Sequence, residues 1–291
     1  MTVTEAAAPV GLVPPTGRAG GRGAEAPAGT LRLGVGSSLG IGLAVIWMSV
    51  LVFLPLAAVL LKASSAGWSG FFDTVTSPAV AAAIRLTVGT AAAATAVNAV
   101  MGTLVAWVLV RDRFPGRRLL GIVIDVPFAL PTIVAGLVLI ALYGPRSPIG
   151  INLAQTRPAI FVALLFVTLP FVVRAVQPVL EELDPDVEEA AASLGAGRWY
   201  TFRRIVLPTI APAIAAGSAL SFARGLGEYG SVVLISGNLT GRTEVASVRM
   251  LSQIENDDLA GAAAVATVLL VVALAVIVAL ELLQRRMARR G

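Results

Sequence analysis

Long apolar runs alternate with short polar ones along most of the chain, and six of them, at residues 39–61, 79–110, 121–143, 159–180, 205–235 and 262–283, set its plan. About 20 apolar residues in helical form cross the roughly 30 Å hydrocarbon core of a bilayer, so each run is read as a membrane-spanning helix. Backbone polar groups in hydrocarbon must be satisfied within the segment, which makes the fold class an all-α membrane protein. The second run is longer than one crossing needs and predicts a helix that tilts or projects beyond the bilayer. Residues 1–36 are Ala, Gly, Pro and Thr with scattered arginine and no apolar period, and they predict a disordered tail. A signal peptide would carry its apolar core nearer the start, so 39–61 is read as a retained first helix. The membrane domain is then 37–291, with its core at 79–283.

The polar stretches give the orientation. Residues 62–78 carry Trp68, Phe71 and Phe72, which suit the interface; 144–157 is a loop with Pro145 and Pro148; 237–261 is an acidic connection with room for a short re-entrant or surface helix. Arg111, Arg113, Arg117 and Arg118 make a basic turn, and Arg285, Arg286, Arg289 and Arg290 close the chain. With Arg18, Arg22, Arg32, Arg198, Arg203 and Arg204 they put fourteen arginines on one side of a six-span topology, against five basic residues on the other. The positive-inside rule makes that side cytosolic, both termini included.

The interlude at 181–204 is the most charged stretch between spans. Asp184 is a good N-cap, Pro185 suits the first helical position, and Asp186, Glu188 and Glu189 place negative charge on the positive end of a helix dipole. Val187, Ala190, Ala191 and Leu194 share one apolar face, and Gly195 supplies the left-handed residue that ends such a helix. A second helical turn, 198–204, leads into Pro208. Small exposed residues here allow a groove of another protein to approach closely.

Composition narrows the function. The chain is 57% hydrophobic and 13% charged, whereas soluble domains carry roughly 25% charged residues. Without histidine or cysteine there is no thiolate or imidazole metal site, no disulfide and no His-based triad. No GxxxxGK[ST] run occurs, so ATP has no visible site, and the net charge of +5 follows span ends rather than an aromatic nucleic-acid face. The chain is therefore read as neither an enzyme nor a nucleic-acid binder, and it binds no cofactor of its own.

Glu189-Ala190-Ala191, three residues, Gly195, nine residues, Ile205, one residue, Leu207-Pro208 resembles the EAA signature of bacterial ABC importer permeases at every position. Further runs, 113–139, 169–183 and 220–238, resemble the T-type permease subunit of sulfate/thiosulfate ABC importers, with molybdate permeases as close cousins. The resemblance covers residue 39 to the C-terminus. It implies a type I importer permease fold in which Glu189, Ala190, Ala191, Gly195, Ile205, Leu207 and Pro208 couple the membrane helices to a cytosolic ATPase dimer that uses the ATP. It also implies a second homologous permease and an extracytoplasmic sulfate- or thiosulfate-binding protein. An ion-coupled secondary anion transporter is the alternative from another class, and it needs no such loop.

Charges and prolines inside the spans remain. Arg85, Asp125, Arg174, Arg224 and Glu228 lie within or at the margins of apolar runs, where an unpaired charge is costly. Arg224 and Glu228 stand four apart and can neutralise each other; Asp125 and Arg174 can pair across helices; Arg85 can snorkel outward. Alternatively, Arg85 and Arg224 attract a tetrahedral dianion to the outer pathway. Pro127 and Pro131 open the hydrogen-bond ladder of the third span, as a simple kink or as a pathway-lining element. Ala215 to Ser218 and Gly225, Gly227 and Gly230 make the fifth span the candidate contact with a second permease, the alternative being packing within the subunit. The poor helix formers at 225–230 predict local unwinding.

Overall fold

The computed structural model describes residues 35–288, so the tail expected at 1–36 lies outside the described residues except for its last two positions, which open a helix. The regular structure of the described residues is helix alone, joined by short loops and turns, with no strand among them. The described residues divide into two compact units, one ending at Leu51 and one starting at Val52. In the first, α1 (Val35–Met48) is apolar on all its described faces, and Leu43 and Trp47 stand exposed as lipid-facing side chains would. The helical run Gly40–Ser64, which contains a π turn at Ser49–Phe53, is long and apolar enough to cross a membrane.

The second unit holds the remaining elements. α2 (Leu54–Ser64) leads to α3 (Gly67–Thr76), a short helix in the stretch whose aromatics suit the interface. Trp68, Phe71 and Phe72 cluster there with ring centroids 5.5–6.4 Å apart, so aromatic packing supports the helix. α4 (Pro78–Arg111) and α7 (Arg157–Glu182) form the frame. They run parallel: Asn98 donates to the Leu165 carbonyl and to Thr168 Oγ1, Gly102 sits against Val172, and Arg111 meets Glu188 just beyond α7. α10 (Leu207–Leu226) runs antiparallel to both, with Gly217 on the Val172 backbone and Gly225 near Ala91 and Thr168. α13 (Leu259–Ala288) packs on α10, α2, α3 and α12 (Ala246–Glu255). Hydrocarbon gives helices no hydrophobic reason to associate, so close approach of small residues and a few polar contacts hold this frame. Gly217 and Gly225 of the small face of α10 are thus used for packing within the subunit, while Gly227 stays exposed.

The third run differs more. Instead of one kinked span at 121–143 it forms α5 (Arg117–Ala129) and α6 (Thr132–Tyr143), bent by 115°. Pro127 is carried inside α5, whereas Pro131 forces extended backbone on Leu130 and becomes the N-cap of α6. The fifth run unwinds where the poor helix formers at 225–230 predict it, and its helix starts earlier than residue 205. A continuous helix, Arg198–Leu226, comprises α9 (Arg198–Thr201), a π turn at Phe202–Val206 and α10; residues 227–229 leave the helix, and α11 (Gly230–Ile235) follows as a separate element. The two breaks meet, since Gly136 faces the Gly230 and Ser231 carbonyls while Gly230 faces Thr132 and Ile133. α6 and α11 then run side by side to a loop where Leu153 N–H donates to Tyr143 and Gln155 N–H to Ile235.

Candidate functional site

α8 (Pro185–Ser193) projects between the end of α7 and the start of α9. Asp184 caps it by accepting from the Asp186 N–H at 3.0 Å, and Gly195 ends it at φ 85° with open space where a side chain would point. The shared face of Val187, Ala190 and Leu194 does not pack on the body of the protein: Val187 and Ala190 are exposed, and Leu194 is 89% exposed. Glu189 is exposed beside them, and Ala191 is half-buried. The buried edge is formed by a polar residue instead. Glu188 Oε1 accepts from Arg111 Nη2 at 2.5 Å, tying α8 to the end of α4.

Aromatic rings extend that tie. Arg111 lies over Trp107 at 5.9 Å, Trp107 meets Phe202 edge-on at 5.5 Å, and Trp199 stacks on Phe202 at 5.7 Å. A cavity of 350 Å³ between Trp107, Arg111, Glu188, Ala196, Thr201 and Phe202 separates the helix from the frame. Sequence reasoning missed Trp107 and Phe202, and the pairing of Arg111 with Glu188. Arg111 counted only as a topology signal, and nothing local marks a partner 77 residues away. Ile205, Leu207 and Pro208 sit in the helix Arg198–Leu226 rather than in the α8 loop, with Leu207 packed near the buried Val206 and Ile210. The signature thus spans two structural elements: an exposed helix, and the first turns of the span that follows it.

The five span charges separate by partner. Arg174 clasps Asp125 through both Nε, at 2.8 Å, and Nη2, while its Nη1 donates to Gln177 at 2.6 Å. Arg224 Nη1 lies 2.7 Å from Glu228 Oε2 but off the hydrogen-bonding direction, so the contact is charge neutralisation rather than a bond. Glu228 is 2% exposed and sits in the break after α10, where its Oε1 accepts from Ser231 N–H and its backbone carbonyl from Ser247 Oγ. It therefore pins both sides of the unwound segment. Arg85 has no carboxylate partner among the described residues and instead lines a 420 Å³ cavity with Arg157 and Arg242. The structure brings four of the five into two pairs and leaves Arg85 apart from Arg224's pair.

A family model described as "Binding-protein-dependent transport system inner membrane component" matches residues 98–289. The sulfate transport system permease protein CysT of Salmonella typhimurium is 44% identical over 262 residues, covering 88% of this chain and 95% of the relative. CysT of a Synechocystis strain is 45% identical over 248 residues, covering 83% and 87%. Among solved structures, a bacterial ABC transporter involved in the import of the acidic polysaccharide alginate shares the fold at a TM-score of 0.71 and 19% identity, covering 86% of this chain and 94% of that one. A second structure of an alginate transporter, in complex with a pentasaccharide-bound periplasmic protein, gives a TM-score of 0.72 at 18% identity over the same shares. At such identity these two speak for the fold alone.

Proposed function

This chain belongs to the family of binding-protein-dependent transport system inner membrane components, and on that premise we propose that it is the membrane-spanning permease subunit of an ATP-driven importer of sulfate and thiosulfate. The observation that carries the substrate is 44% identity along 95% of a sulfate permease's length. The exposed α8, with Glu189, Ala190 and Leu194 facing outward, supports docking of a separate ATPase dimer against 184–199. The distribution of arginines supports a cytosolic position for this end and for both chain termini.

The geometry offers a route for force. An ATPase that grips α8 pulls on α4 through Glu188–Arg111 and on α10 through the unbroken helix from Arg198, while the broken elements α5–α6 and α10–α11 can swing at their breaks. A second homologous permease completes the pathway, and an extracytoplasmic binding protein delivers the anion. Paired charges at Arg174–Asp125 and Arg224–Glu228 favour a structural role for those four residues, since a permease that releases its cargo gains nothing from holding it tightly.

The test of substrate is uptake of radiolabelled sulfate by cells deleted for the gene and then restored, with excess thiosulfate or molybdate as competitor. Restored uptake blocked by thiosulfate and not by molybdate is expected. Sulfate uptake indifferent to the deletion, with molybdate uptake dependent on it, overturns the substrate and leaves the permease. Coupling is tested separately by Gly195→Val, which forces a β-branched residue into φ 85° and fills the open space beside Leu194. ATP hydrolysis uncoupled from uptake is the expected outcome, and unchanged coupling removes α8 as the docking element.

A further inference from the structure

A second basic recess lies away from α8, where α5 leaves the end of α4. It is a cavity of 380 Å³ lined by Leu109, Arg117, Arg118, Gly121, Arg174 and Gln177, with no carboxylate in its wall. The Arg174 guanidinium is committed to Asp125, Gln177 and the Gly121 carbonyl. Arg117 and Arg118 are exposed and make no ion pair or side-chain hydrogen bond among the described residues, so their donors are free to meet an anion at the cavity mouth.

Depth and polarity identify that anion. Leu109 is two residues before the end of α4, and Arg174 is eight residues, about 12 Å, before the end of α7, so the recess opens at the membrane boundary. Immediately beyond the arginines, Leu119, Ile122, Val123 and Val126 stand at one-face helical spacing on α5 and are all exposed, Leu119 and Ile122 each to 64%. Arg118 stands four residues, one helical turn, before Ile122, so a free cationic mouth borders an uncovered aliphatic stripe, the polarity of an anionic amphiphile turned inside out. We propose that the recess between α4, α5 and α7 holds the phosphate-bearing headgroup of an anionic phospholipid, with Arg117 and Arg118 on the phosphate and the acyl chains along the stripe on α5. Basic pockets between spans at this depth suit such headgroups, and a soluble anion would leave the stripe uncovered. The site depends on the spans crossing the bilayer and on no statement about the transported substrate.

The experiment uses the purified full-length chain, delipidated in a neutral detergent. Lipid retention is read by native mass spectrometry, and thermal unfolding is followed as phosphatidylglycerol, phosphatidylcholine or inorganic phosphate is added. Phosphatidylglycerol is expected to bind and raise the melting temperature, and the other two to do neither. Arg117→Gln/Arg118→Gln should weaken phosphatidylglycerol binding by about 30-fold, the loss of two headgroup contacts, while Arg113→Gln, outside the cavity, should leave it unchanged. Should the double variant not survive purification, Arg118→Gln alone is measured in the same way. Equal binding of phosphatidylcholine, an equal effect of Arg113→Gln, or undiminished binding by the cavity variant overturns the site. Stabilisation by inorganic phosphate alone assigns the recess to a soluble anion and overturns the lipid.

Discussion

Two helix pairs in this protein are built on opposite plans. α4 and α7 are unbroken over 34 and 26 residues and meet through side chains: Gly102 under Val172, and Asn98 bridging to Leu165 and Thr168. α6 and α11 are short, each follows a break, and they meet through backbone, with Gly136 against the Gly230 and Ser231 carbonyls. Side-chain contacts can adjust by a rotamer or a few tenths of an ångström; carbonyl oxygens in a helix cannot. The first pair is thus a tolerant frame, and the second a tight joint placed where the main chain leaves its helices. That division suits a machine whose frame passes force and whose joints yield it.

The comparison can be broken most directly at Gly136. A Cβ there would lie 2.9 Å from the Ser231 carbonyl oxygen, so Gly136→Val should cost about 3 kcal/mol or more and be seen as loss of folded protein in detergent melting. A melting temperature close to that of the parent would mean the joint is as forgiving as the frame. Next comes Gly102→Ala, where the first atom met is the Val172 side chain at 2.9 Å; crowding of about 1–2 kcal/mol is partly offset by better helix propensity. Asn98→Ala removes two polar contacts within the frame and should destabilise by about 1 kcal/mol in the same assay, the scale of interhelical hydrogen bonds in membranes. Smallest of all is Gly225→Ala. The nearest atom there is the Ala91 Cβ at 3.3 Å, so the effect should stay within about 0.5 kcal/mol of zero. A graded series that failed to follow this order would place the rigidity elsewhere.

Much of this was legible in the chain. The apolar runs located the crossing helices, the cap at Asp184 and the left-handed Gly195 bounded α8, and the four-residue spacing of Arg224 and Glu228 foretold their contact. What escaped depended on partners distant in sequence. Pro127 and Pro131 look alike locally, yet only Pro131 ends a helix, because the capping site it creates packs against a second break near Gly230. The small face of α10 is equally suited to a neighbouring subunit or to α7, and only the position of Val172 shows that Gly217 packs on α7. That α8 stands exposed was expected, but which side of it turns in was not, because the Glu188–Arg111 contact that fixes it joins residues 77 apart.

The openness of Leu194 reaches beyond transport. An aliphatic side chain 89% exposed on the same face as the exposed Val187 leaves α8 with an uncovered apolar surface, of the kind that a partner surface buries. On the docking proposed for α8, a copy without its partner keeps that surface in water, so the residues that would seat the partner are also the ones that favour aggregation in its absence.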